Sequence, residues 1–283
     1  MFLVAGTIPS NIGKIITGKV TYRDGKISID GDFLPVTRGT AALLGASSTI
    51  CQHLKIAQPF AILAGDIGEK SSGTILYKKI EEILKKESVK VLALHYLKPN
   101  IIYHRTLMKT IQNLKSKPIL IADAGSMYVA KAAGQAPLYD LFTPDLGELA
   151  FLADDKADHP AYTRGFICHL EGEVLNLIKR AYDNKNAAKY MCIKGSTDYV
   201  CYEGEILSNV SAPDIDVLEA IGGTGDTLAG IAAALIYQGT SIDKAATQAA
   251  KINRWAGKLA NPTPATQIYE IIKQIPAAFD KQQ

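Results

Sequence analysis

Short apolar runs, each followed by a turn residue or a polar residue, recur along the chain. They cover residues 60–64, 91–94, 118–121, 139–142 and 190–193. Runs of this length that are apolar throughout are typical of parallel strands buried on both faces of a sheet. The pattern therefore predicts a set of buried parallel strands.

Segments with helical periodicity lie between these runs. Apolar residues recur three and four positions apart in two stretches: Ile75, Leu76, Ile80, Ile83 and Leu84, and then Val174, Leu175, Leu177 and Ile178. Strand and helix thus alternate, which predicts an α/β fold with a mainly parallel sheet. The absence of a linker composition favours a single domain over residues 1–283. Within it, Asp24-Gly25 predicts a hairpin inside residues 1–35, which could be a flap at the sheet edge or an oligomer contact.

The last third of the chain has the pattern of two consecutive helices. A stripe of apolar residues ends at Gly239 and consists of Leu228, Ile231, Ala232, Leu235 and Ile236. Thr240 and Asp243 have capping-box spacing, which predicts a second helix that runs through Trp255 and ends before Pro262.

Composition narrows the class of protein. The chain has 283 residues, a net charge of +3, 47% hydrophobic residues and 4 Cys. These values argue against disorder, a nucleic-acid partner and a disulfide scaffold, and they favour a reducing cytoplasm. No apolar run is long enough to span a membrane, and no signal peptide is indicated. The histidines and the cysteines do not have the spacing of metal ligands. The histidines are His53, His95, His104, His159 and His169, and the cysteines are Cys51, Cys168, Cys192 and Cys201.

Residues able to do chemistry follow the predicted strands: Asp66, His95, Asp123, Asp145, Glu148 and Lys194. Ligands bind at the carboxyl ends of the strands in open α/β sheets, so these are candidate substrate or metal contacts. Asp145 and Glu148 could together hold Mg²⁺ through water, or they could only cap the next helix. His95 could touch substrate or be a hydrogen-bonded core histidine, and Lys194 could be an ordinary surface lysine.

The sharpest signal is the run of small residues at 222–225, followed by Asp226 and a strongly apolar helix. Backbone N–H groups at such a helix start favour phosphate oxygens. An acid in that position is costly beside a phosphate unless it accepts a proton from an attacking hydroxyl, although it could be a simple first-turn acid. The run lacks the third glycine of a dinucleotide-binding fingerprint.

Two further segments have weaker signals. Residues 65–73 partly resemble a phosphate-binding loop, but their glycines have the wrong spacing for a Walker-type NTPase. They could contact substrate or phosphate, or only cap the next helix. The polar pairs Thr163-Arg164 and Asn253-Arg254 could reach the cleft or form surface contacts, and Asn253 is the candidate substrate residue among them.

Four segments, 119–124, 142–150, 193–198 and 222–231, together resemble the ribokinase-like superfamily. Within it they are most similar to the ADP/ATP-dependent NAD(P)H-hydrate dehydratases, the YjeF C-terminal or carbohydrate-kinase-like family, over roughly residues 36 to 260. The resemblance implies a three-layer α/β/α sandwich. It implies Asp226 as the base that deprotonates the substrate hydroxyl. It implies nucleotide contacts at the helix start and in the loop after the apolar run 190–193: Lys194, Gly195, Ser196, Thr197, Asp198, Gly222, Gly223, Thr224 and Gly225.

This family uses ATP or ADP to return hydrated NADH or NADPH to the intact cofactor, by phosphorylating the hydroxyl and eliminating phosphate. The chain departs from the family's usual residues at Asp145, at the segment that begins with His95 and at the 66–73 loop. A small-molecule kinase for a vitamin precursor or carbohydrate, and a non-catalytic nucleotide-binding protein, are therefore the alternatives. The expected cofactors are ATP or ADP with Mg²⁺. The expected partners are a hydroxylated small molecule and further copies of the chain.

Overall fold

The computed structural model describes residues 1–10, 12–66, 72–157 and 173–282, with the side chains of 72 and 73 left aside. His159, His169, Cys168, the Thr163-Arg164 pair and most of the 66–73 loop lie outside the described residues. Within these residues, no helix is both long enough and apolar enough to cross a bilayer.

One sheet runs through the molecule. Its strands are β1 (Phe2–Ile8), β2 (Ile15–Arg23), β3 (Lys26–Ile29), β4 (Asp32–Pro35), β5 (Phe60–Gly65), β6 (Val91–His95), β7 (Ile119–Asp123), β8 (Leu141–Phe142), β9 (Tyr190–Ile193), β10 (Asp198–Tyr202) and β11 (Glu205–Val210). Their spatial order is β11-β10-β9-β8-β7-β6-β1-β5-β2-β3-β4. The six strands in the middle of the sheet, in the spatial order β9-β8-β7-β6-β1-β5, are parallel. The strands outside them pair antiparallel.

Helices cover both faces of this sheet. They are α1 (Thr40–His53), α2 (Ser72–Lys86), α3 (Ile101–Gln112), α4 (Gly125–Ala132), α5 (Leu146–Ala153), α6 (Val174–Asp183), α7 (Thr224–Gln238), α8 (Ile242–Leu259), α9 (Ile268–Ile272) and α10 (Ile275–Asp280). One hydrophobic core lies between the sheet and α1, α7, α8, α9 and α10. A second core lies between the opposite face and α2 to α6. This confirms the three-layer α/β/α sandwich with a mainly parallel sheet.

The first strand lies at the centre of the sheet. Every residue of β1 is buried, and the strand pairs in parallel with both β5 and β6. The sequence pattern places these residues with the N-terminal hairpin and predicts no core strand there. The hairpin itself is confirmed: β2 and β3 are antiparallel, and Asp24 and Gly25 between them have φ of 48° and 74°. It extends the sheet beyond β5.

Two local predictions are wrong. Residues 139–142 form only the short strand Leu141–Phe142, because a 3₁₀ turn at Ala136–Leu138 occupies the chain just before Tyr139. The helix α8 begins at Ile242 with Ser241 in the N-cap position. The predicted capping box of Thr240 and Asp243 therefore does not form.

Candidate active site

The carboxyl ends of four neighbouring strands bring the predicted site residues together. His95 ends β6 and lies directly opposite Asp123, which ends β7. Asp145 follows β8 and forms an isolated bridge with Lys194, which follows β9. Asp66 follows β5 at the same edge, but β1 separates β5 from β6. The parallel register thus gathers the side chains from β6 to β9 and leaves Asp66 at one side.

Two helix N-termini meet at the carboxylate of Asp226. Asp226 lies in the first turn of α7, whose N-cap is Gly223 with a φ of 105°. A Cβ at Gly223 would also lie 2.9 Å from Ile268, so both backbone and space require glycine there. The N-cap of α1, Gly39, donates its N–H to Asp226 Oδ2 at 2.6 Å. Asp226 therefore faces the positive ends of both helices.

The other carboxylate oxygen of Asp226 faces a histidine. His95 Nε2 lies 3.0 Å from Asp226 Oδ1, and His95 Nδ1 lies 2.8 Å from Thr40 Oγ1. The imidazole has no exposed surface, whereas the Asp226 side chain is 15% exposed. Substrate can thus reach Asp226, and His95 lies behind it.

The surroundings of Asp226 favour its ionised form. Burial alone would raise the pKa of Asp226. The hydrogen bond and charge of His95, the charge of Lys194 and the Gly39 N–H outweigh burial, and the pKa of Asp226 is lowered. Asp226 is therefore a carboxylate at neutral pH and can accept a proton.

A buried ion pair lies beside this carboxylate. Lys194 Nζ donates to Asp123 Oδ1 at 2.9 Å, and the Ala124 N–H donates to the same oxygen. Burial alone would lower the pKa of Lys194, but the charges of Asp123, Glu148 and Asp145 raise it, so Lys194 stays charged. Asp123 Oδ2 is buried and has no hydrogen-bond partner among the described residues. It lies 3.8 Å from His95 Nε2.

Asp145 and Glu148 start the helix α5. The Asp145 side chain accepts from the Glu148 N–H at 2.7 Å, and Glu148 Oε2 accepts from the Asp145 N–H at 2.8 Å. Tyr128 donates its hydroxyl to Glu148 Oε1. Burial, followed by the charge of Asp145, raises the pKa of Glu148, and burial also raises the pKa of Asp145. Asp145 and Glu148 therefore cap α5, which is one of the two roles that the sequence leaves open for them, and they lie at the rim of the site.

The small residues at the start of α7 leave an open surface there. Gly222 is exposed, and a Cβ at Gly225 would lie 3.3 Å from Lys194 Nζ, so a glycine lets the lysine approach the helix start. Arg38 is exposed, and its Cα would lie 3.3 Å from a Cβ at Gly223. Sequence reasoning missed Arg38, although Arg38-Gly39-Thr40 before a long apolar helix is itself a helix-start signal.

Asn253 and Arg254 support this surface from behind. The Asn253 amide donates to the Thr224 carbonyl at 2.9 Å and accepts from the Thr227 hydroxyl at 2.7 Å. Arg254 Nε donates to Asp198 Oδ2 at 2.7 Å, and its other nitrogens donate to the carbonyls of Gly195, Ser196, Ser211 and Pro213. Gly195 and Ser196 are exposed and Thr197 is half-buried, whereas Asp198 is buried against Arg254.

The sequence of this chain is similar to a known protein family and to one curated protein. The family model described as carbohydrate kinase, NAD(P)H-hydrate dehydratase, matches residues 98–277, which is more than half of the chain. An uncharacterized protein, MJ1337, from Methanocaldococcus jannaschii is 42% identical over 239 residues, which cover 84% of this chain and 98% of that protein.

Solved structures agree at the level of the fold. A ribokinase-like superfamily protein from Enterococcus faecalis has a TM-score of 0.60 at 15% identity and covers 99% of this chain and 86% of its own. Phosphofructokinase-2 from Escherichia coli in complex with fructose-6-phosphate has a TM-score of 0.53 at 14% identity, with 99% of each chain covered. The chain therefore belongs to the carbohydrate-kinase family described as NAD(P)H-hydrate dehydratase, and its fold is ribokinase-like.

Proposed function

We propose that the protein is an ATP- or ADP-dependent dehydratase that repairs hydrated NADH or NADPH. One observation carries the proposal: an ionised, partly exposed Asp226 lies where two helix N-termini meet, beside a glycine surface and a lysine that is exposed to the same degree. Backbone N–H groups and cations of this kind stabilise the charge on a transferring phosphoryl group. The family match over 98–277 supports the choice of substrate.

Asp226 accepts the proton of the substrate hydroxyl while the hydroxyl oxygen attacks the terminal phosphate of the nucleotide. The bond from that phosphorus to the bridging oxygen breaks, and the shortened nucleotide leaves. Lys194 and the N-terminus of α7 face the negative charge of the phosphate oxygens. In the dehydratase, the substrate phosphate is then eliminated together with the neighbouring ring proton, which restores the double bond.

Mg²⁺ fits this donor set, because Asp123 Oδ2 is a buried carboxylate oxygen without a partner among the described residues. Asp123 would hold the ion directly and Glu148 would do so through water. When bound, the ion would neutralise charge on the nucleotide phosphates.

A half-exposed aromatic ring beside the base suits a substrate with a flat ring. Tyr96 is 46% exposed and its ring lies edge-on to His95, with centroids 4.5 Å apart. A Cβ at Gly39 would lie 3.6 Å from this ring, so the tyrosine lies over the start of α1. Ring stacking on tyrosine is a common way to hold a planar ligand.

The second candidate is a small-molecule kinase with the same first step. The acid at Asp145, in a capping box at the rim of the site, changes the part of the pocket in which the related dehydratases have a different residue. The structural likeness to phosphofructokinase-2 extends over the whole chain. The two functions differ in whether the product keeps the phosphate.

The deciding experiment mixes the purified protein with ATP or ADP, Mg²⁺ and hydrated NADH, and follows the dihydronicotinamide absorbance and the release of inorganic phosphate. We expect both signals to rise together in the wild type and to vanish in Asp226→Ala. A phosphorylated product without recovery of absorbance would exclude the dehydratase and support the kinase.

We expect Arg38→Ala to raise KM for the nucleotide roughly 10-fold with a smaller effect on kcat, because a charged hydrogen bond to phosphate contributes about 1.5 kcal/mol. Arg23→Ala is the matched control, since Arg23 is a highly exposed arginine in the hairpin, paired with Asp24. The measurement is the nucleotide dependence of the initial rate. Equal KM values for both variants would remove Arg38 from the phosphate site.

A further inference from the structure

His95 is placed as part of a hydrogen-bonded chain and not as a substrate contact. Its ring has no exposed surface, and both ring nitrogens have partners inside the protein. The chain begins at the Thr7 carbonyl in β1, passes through Thr40 in α1 and His95 in β6, and ends at Asp226 in α7. Four elements distant in sequence therefore meet at one carboxylate.

The direction of each hydrogen bond follows from the donors available. The Thr40 hydroxyl has one proton and donates it to the Thr7 carbonyl at 2.7 Å, so Thr40 Oγ1 accepts from His95 Nδ1. An ionised Asp226 can only accept, so His95 Nε2 donates to Asp226 Oδ1. Gly39 donates to the other oxygen. Each carboxylate oxygen thus has one fixed donor, and the carboxylate plane is defined.

A glycine in β1 leaves room for the His95 backbone and for its partner Thr40. A Cβ at Gly6 would lie 2.0 Å from the His95 carbonyl oxygen and 2.8 Å from Thr40 Oγ1, so any larger residue would displace both. Tyr96, directly after His95, has a φ of 50°, which is uncommon for a tyrosine, and its carbonyl accepts from the Thr7 hydroxyl. A hydrogen bond to Thr40 in α1 thus holds the His95 ring, and one from Thr7 in β1 holds the residue that follows it.

We propose that His95 is a positioning residue for the catalytic base: by donating from Nε2 to one oxygen of Asp226, it turns the free lone pairs of the carboxylate toward the substrate hydroxyl. This inference rests on the proposed role of Asp226. The base of this protein is thus one half of an Asp–His pair.

Two isosteric variants separate the two hydrogen bonds. In His95→Gln the amide nitrogen can take the place of Nε2 and donate to Asp226, whereas in His95→Asn it can reach only the Thr40 side. We expect His95→Gln to keep kcat within about 10-fold and His95→Asn to lower it about 100-fold, since a misplaced catalytic group costs rates of that order. KM for the nucleotide should change less than about twofold in both.

His104 provides a matched control. It is also a buried histidine with both ring nitrogens bonded, to Gln135 Oε1 and to the Tyr139 hydroxyl, each at 2.9 Å. His104→Asn should lower the unfolding temperature as His95→Asn does and leave kcat unchanged. Equal loss of kcat in His95→Gln and His95→Asn, with His104→Asn unaffected, would overturn the positioning role.

NMR of the protein labelled with ¹⁵N-histidine tests the same geometry without any turnover. We expect slowly exchanging protons on both ring nitrogens of His95, with the Nε2 proton shifted by Asp226→Asn and the Nδ1 proton shifted by Thr40→Val. If no substrate is turned over but these signals appear, the proposed function fails and the Asp–His pair stands. A wild-type Nε2 without a proton would sink the proposal. Loss of the Nε2 proton on adding Zn²⁺ alone would do the same, since it would make His95 a metal ligand.

Discussion

Replacing Asp226 with Asn is expected to lower kcat by about 10²- to 10⁴-fold, the usual contribution of a general base. The amide cannot accept the hydroxyl proton. It also has one acceptor where the structure has two donors, because the Gly39 N–H and His95 Nε2 face opposite oxygens of the carboxylate. One donor would then face the amide NH₂. KM for the nucleotide should stay equal or fall, because removing a negative charge beside the phosphates favours their binding.

Asp243→Asn is the matched control for this prediction. Asp243 is likewise the acid in the first turn of a long helix, α8, but it lies at the surface and its carboxylate interacts with Ser241. If Asp226 were only a favourable first-turn acid, both variants would lose a few tenths of a kcal/mol of stability and no activity. Steady-state kinetics with both proteins distinguish the two roles. Comparable kcat values in Asp226→Asn and the wild type would remove the base from the mechanism.

Replacing Arg254 with Met is expected to lower the free energy of unfolding by about 3–5 kcal/mol, because it leaves one partner of a buried ion pair without its counter-charge. Arg254 pairs with buried Asp198 and donates to carbonyls on two separate segments, Gly195-Ser196 and Ser211 to Pro213. The methionine fills similar space but satisfies none of these acceptors. Urea denaturation followed by circular dichroism measures the loss.

Two further proteins make this result interpretable. Lys251→Met changes an exposed cation on the same helix and should stay within about 0.5 kcal/mol of the wild type. The double variant Arg254→Met, Asp198→Asn removes the unpaired charge and should recover part of the loss. A loss below about 1 kcal/mol in Arg254→Met would mean that the pair contributes no more than a surface ion pair.

The strand runs and the glycine-rich helix start were predictable because their signals are local. A continuous apolar run marks a buried strand, and small residues before an apolar periodic stretch mark the start of a helix, as at Gly222 to Asp226. Strand β1 was not assigned, although its residues are apolar. It is followed by a hairpin, and nothing in the local pattern tells a central strand from an edge strand.

The partners of Asp226 were not predictable in the same way. Gly39 is 187 positions away from it and His95 is 131 positions away. Only the packing of α7 against β6 and against α1 brings them together, and both contacts are tertiary. The close approach of these helices depends on Gly230, where a Cβ would lie 2.3 Å from the Leu43 carbonyl. A buried histidine after a strand is visible in sequence, but its partner is not.

The central place of β1 has a consequence for biosynthesis. Its parallel neighbours are β5 and β6, so one of its edges stays unpaired until residues up to Gly65 have been made, and the other until residues up to His95 have been made. At roughly 5–20 residues per second the nascent chain carries this strand unpaired for several seconds. The seven residues are all buried in the finished sheet and carry no charge, so the exposed strand is a site for aggregation during that time. Slow translation, or a high concentration of nascent chains, should therefore lower the yield of soluble protein. The loss should be larger than the one expected from the stability of the folded protein alone.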